Sequence, residues 1–335
     1  MGFGHSFRAL RRLILAGIAA TVMAAPAGIA QAQDKISIMV DWAPHGMHAG
    51  LHLAVQKGWF KEAGLNVEVL DGRGSVSTIQ QVAAGKIDIG FAQLGAMAPA
   101  VANGLPVTSV MGFVRAGDNG LVVPIAGNYK TLKDLVGKKI VVPNGAATAP
   151  FLDAFFKAGG VSRNDIQVVN VDSQAMVATY GSGQVEGALS TVAFFAPIVS
   201  ETRPSTGILF ADVGLRIPGY GLVVQKDAVD KRAEMLAKVV AVNKRVWDYI
   251  FSGKEDEAID AMLAQRSGLR LDRKVMMGQL KMYMPLFATP ATKGRPLGWQ
   301  AESDWQEALK SMEQASMIKP GWKSVDFYTN KFIPQ

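Results

Sequence analysis

Histidine and aspartate are the residues in this chain best suited to metal or acid–base chemistry. After residue 32 the sequence contains three histidines, His45, His48 and His52, with Asp41 as the nearby carboxylate. His48 and His52 stand four residues apart, which places two imidazoles on one face of a helix, as in helical zinc sites. No glutamate follows His48, however, and the chain has no cysteine. We therefore predict no metal site, with His48 capping a helix or facing a pocket and His52 packed or at the surface.

Motifs of the common catalytic classes are missing from the sequence. It contains neither the Gly-x-Ser-x-Gly turn of α/β-hydrolases nor the Gly-Lys-Ser/Thr of a phosphate-binding loop. The segment Gly72-Arg-Gly-Ser-Val-Ser77 is only weakly similar to the Gly-x-Gly-x-x-Gly of dinucleotide-binding proteins. We expect a binding protein rather than an enzyme, with no cofactor.

Small residues form two loops that could hold a ligand. Gly74 and Ser75 precede one predicted helix, and Ala146 and Thr148 precede another. Free N–H groups at a helix start can bind an anion or a dipole, although ordinary N-capping explains either loop alone equally well. Trp42 directly follows the first predicted strand, where an aromatic ring could stack on a flat ligand.

The elements that position these residues alternate between strands and short helices, which predicts β-α-β units with mostly parallel sheets. The strand–loop–helix order restarts near residue 131, so we predict an α/β fold with two similar lobes, followed by a helical section. Phe194 and Phe195 lie at a predicted helix start, and their alanine neighbours favour core packing. Predicted strands are 35–40, 66–70, 87–92, 107–114, 139–142, 166–171, 186–190 and 221–225. Predicted helices are 48–60, 78–84, 96–103, 132–136, 150–158, 175–180, 236–250, 255–265, 271–283 and 301–317.

Length and charge limit the possible partners. The chain has 335 residues, enough for two compact domains, and 35 basic against 28 acidic residues give a net charge of +7. Three of the arginines (8, 11 and 12) lie in the first 32 residues, which contain no acid. No run of five or six basic residues follows, and this argues against nucleic acid as a partner.

The first 32 residues have the pattern of an export signal. A basic start is followed by an uncharged, mostly apolar stretch over 13–25, and Ala30-Gln-Ala32 provides the small residues before a cleavage site. Without a cysteine the chain cannot carry a lipid anchor of the lipoprotein type. We predict a periplasmic protein organised as a signal peptide (1–32), lobe 1 (33–125 and 222–335) and lobe 2 (126–221). The chain crossings near 123–127 and 219–224 would form a hinge.

Four segments carry a family resemblance. Asp41-Trp-Ala-Pro44 with His48, Lys57-Gly-Trp-Phe-Lys-Glu-Ala-Gly-Leu-Asn-Val67 and Gly85-Lys-Ile-Asp-Ile-Gly90 resemble the NMT1/THI5-like proteins, as does Leu135-Val-Gly-Lys-Lys-Ile-Val141. The resemblance implies a two-lobed periplasmic binding protein of type II, each lobe a mostly parallel sheet flanked by helices. Such a receptor, usually a monomer, delivers its ligand to a membrane permease driven by an ATPase.

The resemblance also implies roles for particular residues. In the pyrimidine-binding branch, the tryptophan at the position of Trp42 stacks on the ligand, and the histidine at the position of His48 contacts it. The pyrimidine synthases of this group carry a lysine and a histidine where this chain has Ala92 and Ala96, so an enzyme is disfavoured. The acid that grips an aminopyrimidine is replaced around Ser190-Thr191.

We therefore expect the solute-binding component of an ABC importer that binds a small flat heteroaromatic solute. The first candidate for this solute is a thiamine pyrimidine precursor. One alternative is a receptor for a sulfonate, taurine or nitrate, and Arg73 or Arg115 could contribute to its anion site. The other alternative is a pyrimidine-precursor synthase. The predicted ligand-binding residues are Asp41, Trp42, His48, Gly74, Ser75, Gln93, Leu94, Ala146, Thr148 and Thr191.

Overall fold

The computed structural model describes residues 35–144 and 146–334, so the proposed export signal lies outside the described residues. The strands are β1 Lys35–Val40, β2 Asn66–Leu70, β3 Ile89–Gln93, β4 Val107–Gly112, β5 Asn119–Pro124, β6 Lys139–Pro143, β7 Gln167–Val171, β8 Gly187–Thr191, β9 Ser205–Leu209 and β10 Tyr220–Gln225. The helices are α1 Ala49–Gln56, α2 Trp59–Glu62, α3 Ser75–Ala83, α4 Leu94–Ala102, α5 Leu152–Ala158, α6 Met176–Gly181, α7 Val192–Val199, α8 Ala228–Lys231, α9 Ala233–Phe251, α10 Glu255–Gln265, α11 Arg273–Tyr283 and α12 Glu302–Gln314.

The first sheet has the strand order β2-β1-β3-β10-β4. β1 pairs in parallel with β2 and β3, whereas β10 is antiparallel to both β3 and β4. Four strands therefore run in one direction, and their carboxyl ends meet at one edge. We use the name lobe 1 for this sheet and the helices packed on it.

The second sheet has the order β7-β6-β8-β5-β9, with β5 antiparallel to β8 and β9. We call this sheet and its helices lobe 2. The predicted α/β class with mostly parallel sheets is confirmed. β5 and β9 were not predicted, because Asn119-Gly120 and Pro124 resemble turn residues and β9 is a short edge strand with a polar start.

The pairing of β5 corrects the chain division drawn from the sequence. Residues 119–124, assigned there to lobe 1, form a strand of the second sheet. The chain crosses between the sheets at 113–118 and returns at 210–219, instead of at the predicted 123–127 and 219–224. The boundary between lobes 1 and 2 near residue 125 is therefore wrong, while the other limits of the division stay a prediction.

The C-terminal helices cover lobe 1 and also reach lobe 2. The apolar stripe predicted over 236–250 is buried along α9, where Trp247 packs against Phe287 with ring centroids 4.5 Å apart and ring planes tilted by 51°. α11 packs against α7 of lobe 2, and Gln279 on α11 joins two distant backbone groups. Its Oε1 accepts from the Gly46 N–H at 2.9 Å and its Nε2 donates to the Phe194 carbonyl at 2.9 Å. Across residues 35–144 and 146–334, none of the helices has both the length and the apolar character that a membrane crossing requires.

Candidate functional site

The carboxyl ends of β1 and β3 and the start of α3 meet around the side chain of Asp41. Asp41 is the first residue after β1, and its backbone carbonyl accepts from the Gly74 N–H at 2.6 Å, which ties the two strand-end loops together. The Ser75 hydroxyl donates to Asp41 Oδ2 at 3.3 Å and accepts from the Gln93 N–H at 3.1 Å. The glycine–serine loop thus holds the carboxylate in place.

Two histidines complete this cluster. His48 Nε2 lies 2.9 Å and His45 Nε2 lies 3.5 Å from Asp41 Oδ1, and all three side chains are buried. The four-residue spacing predicted that His48 and His52 share a helix face, but His52 lies apart, with its Nδ1 3.0 Å from Gln265 Oε1. Helical spacing did not predict the contact between His45, His48 and Asp41, because residues 46–48 form a short 3₁₀ helix rather than the first turn of α1. His45 is the extended residue that caps this 3₁₀ helix.

The hydrogen bonds within the cluster fix the protons on both imidazoles. His48 Nδ1 accepts from the His45 N–H, and His45 Nδ1 accepts from the Met47 N–H, both at 3.4 Å. Each Nε2 must therefore carry the hydrogen in the neutral ring and donate it to Asp41. A metal bound by the same carboxylate and imidazoles would require those Nε2 atoms without hydrogen. The arrangement fits a hydrogen-bonded cluster better than a metal centre.

Burial and hydrogen bonding set the charges in the cluster. Burial raises the pKa of Asp41, but the hydrogen bonds from His45 and His48 outweigh it, so that the pKa lies well below its usual range. Burial and the neighbouring His45 lower the pKa of His48 to about 3. At neutral pH the cluster therefore contains an ionised Asp41 and a neutral His48.

Asp41 lies at one side of a cleft of about 590 Å³ between the two lobes. Eight of the ten predicted site residues line it: Asp41, Trp42, Gly74, Ser75 and Gln93 from lobe 1, and Ala146, Thr148 and Thr191 from lobe 2. Trp42 is 36% exposed, so that its ring is available for stacking. A cavity of this size is typical of sites for small organic molecules.

The other two predicted residues have different positions. His48 does not line the cleft but lies beneath it, against Asp41. Leu94, at the start of α4, lines a separate cavity of about 300 Å³ between the two chain crossings. Arg115 also lines that cavity and donates to the Trp299 carbonyl at 2.7 Å, so the suggestion that it contributes to an anion site in the cleft is wrong.

Several residues that line the cleft were not predicted from the sequence. His45 was noted as a histidine but not assigned to the site, and Tyr220 on β10 is 127 residues from its hydrogen-bond partner Gln93. Of the two phenylalanines, Phe195 is 1% exposed and packs against Tyr180, as predicted for a core residue. Phe194 is partly exposed and lies edge-on to His45, with ring centroids 5.4 Å apart.

Comparison with known proteins identifies the family. The model of a family described as NMT1/THI5 like matches residues 45–257. This chain belongs to the NMT1/THI5-like family. Within the family, a formylaminopyrimidine-binding protein of Halalkalibacterium halodurans is 22% identical over 92% of this chain and 93% of its own length. A "Putative thiamine biosynthesis protein" of Haemophilus influenzae is 30% identical over 205 residues, and the match spans 60% of this chain and 65% of that protein.

Solved structures establish the fold. The alkanesulfonate-binding protein of Xanthomonas axonopodis, bound to MOPS, has a TM-score of 0.65 and 16% identity, covering 88% of this chain and 98% of that chain. The NMT1/THI5-like chain described here thus has the two-lobed, type II periplasmic binding protein fold. This chain is also similar in part to a protein named as an enzyme: a 4-amino-5-hydroxymethyl-2-methylpyrimidine phosphate synthase of Saccharomyces cerevisiae is 33% identical over 108 residues, 32% of each chain.

Proposed function

We propose that this protein is the periplasmic solute-binding component of an ABC importer, and that its ligand is a flat heteroaromatic molecule with hydrogen-bond donors. A thiamine pyrimidine precursor of the hydroxymethyl- or formylaminopyrimidine type is the first candidate. The observation that carries the proposal is the ionised carboxylate of Asp41, held by His45, His48 and Ser75 beside the exposed ring of Trp42. The ring would stack on the ligand while the carboxylate accepts from its amino group.

The charges in the cleft favour this ligand over a sulfonate or nitrate. A buried anion needs a cation or several donors close to it. Among the described residues that line the cleft, Arg73 is the one with a permanent positive charge, and its side chain is exposed. Asp41 is buried and negative, and it would repel an anionic ligand.

A receptor role is supported over the synthase alternative by the residues of β3 and α4. Ala92 is buried within β3 and Ala96 lies in the first turn of α4, where the resemblance implied the lysine and histidine of the enzymes. Neither side chain can hold a cofactor or move a proton. The relative that matches nearly the whole chain is named as a binding protein. We further propose export to the periplasm through the signal at 1–32, action as a monomer, and delivery of the ligand to a permease with its ATPase.

The test is titration calorimetry of the purified protein with hydroxymethylpyrimidine, formylaminopyrimidine, taurine and nitrate. We expect binding of a pyrimidine and no binding of the anions. Asp41→Asn should weaken pyrimidine binding about tenfold to a hundredfold, as expected for a hydrogen bond to a charged group. Asp71→Asn removes the same charge from an exposed carboxylate that does not line the cleft, and it should leave the affinity within about twofold.

Trp42 provides a second, independent variant. Trp42→Ala should weaken binding by about 1–3 kcal/mol, by analogy with the stacking of bases on aromatic side chains. Trp322→Ala, which removes a tryptophan outside the cleft, is its control. Binding of taurine or nitrate without binding of either pyrimidine would keep the receptor and reject the proposed ligand class. An unchanged affinity in Trp42→Ala would remove the stacking role.

A further inference from the structure

Both walls of the cleft carry polar side chains, which include Thr148 and Thr191 on lobe 2, but lobe 2 also contributes a group of apolar side chains. The wall from lobe 1 carries Asp41, His45 and Gln93, which form the polar side described above. The wall from lobe 2 carries Val177 on α6 together with Phe194 and Ile198 on α7. A ligand that consisted of a polar ring alone could contact the polar side chains of both walls but would leave the apolar group of lobe 2 without a partner.

Phe194 and Ile198 pack against the core of lobe 2, and both also line the cleft. On α7, the core side is formed by Phe195 and Val199, which are 1% and 0% exposed. Phe194 and Ile198 are four residues apart, so they share another face of the helix, and both are only partly buried. Val177 on the neighbouring helix is 40% exposed. Apolar side chains that line a cavity without being fully buried are typical of a binding site.

We propose that the ligand carries an apolar substituent in addition to its hydrogen-bonding ring, and that Val177, Phe194 and Ile198 form the subsite that binds it. This inference rests on the proposed function, in which the ring lies against Trp42 and Asp41. The ligand class is then an amino-substituted heteroaromatic ring bearing an alkyl or aryl group. The cleft of about 590 Å³ has room for both parts, since cavities of roughly 300–1,000 Å³ hold drug-sized molecules.

A rival explanation is that the same side chains meet lobe 1 when the cleft closes. Val76, at the start of α3, is 48% exposed and also lines the cleft, as does Trp42. An apolar contact between the lobes would favour the closed state with any ligand. A ligand subsite would favour only ligands that carry the apolar group, and this difference separates the two explanations.

The experiment measures the affinity of the purified protein for 4-aminopyrimidines that carry hydrogen, methyl or propyl at carbon 5. For the unaltered protein we expect affinity to rise about fourfold for each buried carbon of the substituent. Val177→Ser should leave the affinity for the unsubstituted ring within about twofold and remove most of the gain from propyl. Ile198→Ser should act in the same way. Val177 is more exposed than Ile198, so the Val177 variant still tests the subsite if the Ile198 variant fails to fold. Val136→Ser, at an exposed valine of lobe 2 outside the cleft, should behave like the unaltered protein.

Each of three other outcomes would reject either the subsite or the proposed function. If Val177→Ser weakens the binding of every ligand equally, the side chain acts in closure and the subsite is rejected. If the unsubstituted ring binds but propyl brings no gain in the unaltered protein, the subsite is also rejected while the proposed function stands. If neither the 4-aminopyrimidines nor hydroxymethylpyrimidine binds, the proposed function fails and the subsite fails with it.

Discussion

His52 is buried in α1, and its protonation is expected to cost stability as the pH falls. Its Nδ1 donates to Gln265 Oε1 at 3.0 Å, because the amide nitrogen of Gln265 is occupied by the His52 carbonyl at 2.7 Å. The other ring nitrogen, Nε2, is buried and has no hydrogen-bond partner among the residues that the structure describes. A proton added there would bring a charge and an unpaired donor into the protein interior. Burial accordingly lowers the pKa of His52 to about 4.

The sign and size of the effect follow from the pKa values of the folded and unfolded states. In the unfolded chain a histidine has a pKa of about 6.5, so below that pH the unfolded state binds the proton and the folded state does not. The stability associated with neutral His52 is complete above pH 6.5 and is lost progressively as the pH falls towards 4. Between pH 7 and pH 5 this loss amounts to about 2 kcal/mol of the free energy of unfolding.

Urea unfolding at pH 7 and pH 5 measures this loss when the protein is compared with His52→Gln. The variant retains every other titrating group, including His48 and Asp118, so their contributions cancel in the comparison. The decrease in the free energy of unfolding between the two pH values should be smaller in His52→Gln by about 2 kcal/mol. Val246→Ala on α9, which packs against α1, is a matched control that removes buried volume without removing a titratable group.

The reasoning would be refuted if His52→Gln lost as much stability between pH 7 and pH 5 as the unaltered protein does. An equal loss would mean that His52 takes up a proton in the folded state near its ordinary pKa. Val246→Ala should be less stable at both pH values, by a similar amount at each. A pH-dependent effect in that control would show that general destabilisation, rather than the imidazole, changes the acid response.

Two further predictions concern buried polar groups. Burial raises the pKa of Asp118 to about 6, whereas an aspartate in the unfolded chain has a pKa of about 3.9. Stability is therefore lost as the pH rises from about 4 to about 6, and the full cost of the ionised carboxylate applies above pH 6. Asp118→Asn should raise the free energy of unfolding at pH 8 by up to about 3 kcal/mol. The gain should disappear in urea unfolding at pH 4, and an equal effect at both pH values would contradict the assignment. Gln279→Leu leaves the Gly46 N–H and the Phe194 carbonyl unpaired, so it should lower the free energy of unfolding by at least about 2 kcal/mol in urea. The control Gln306→Leu, on the exposed side of α12, should change it little. A small loss in Gln279→Leu would show that other groups satisfy the two backbone atoms.

Most elements could be predicted because their patterns are local. β1 and β2 begin and end at the predicted residues, and α10 spans the predicted 255–265. The apolar stripe of α9 repeats with the helical period, and glycine ends the segment before β2. Strands β5 and β9 were missed since their short polar ends resemble turns, and their partners lie tens of residues away.

The sequence by itself determined the α/β class, the family, and the loops that carry Asp41, Trp42 and Ser75 to the carboxyl ends of the strands. Only the tertiary structure decided that His45, and not His52, joins His48 at Asp41, because the bend before the 3₁₀ helix breaks the helical spacing. It also placed Arg115 and Leu94 in a cavity outside the cleft. Spacing along the chain predicts which side chains share a face, but contacts between distant segments decide what that face meets.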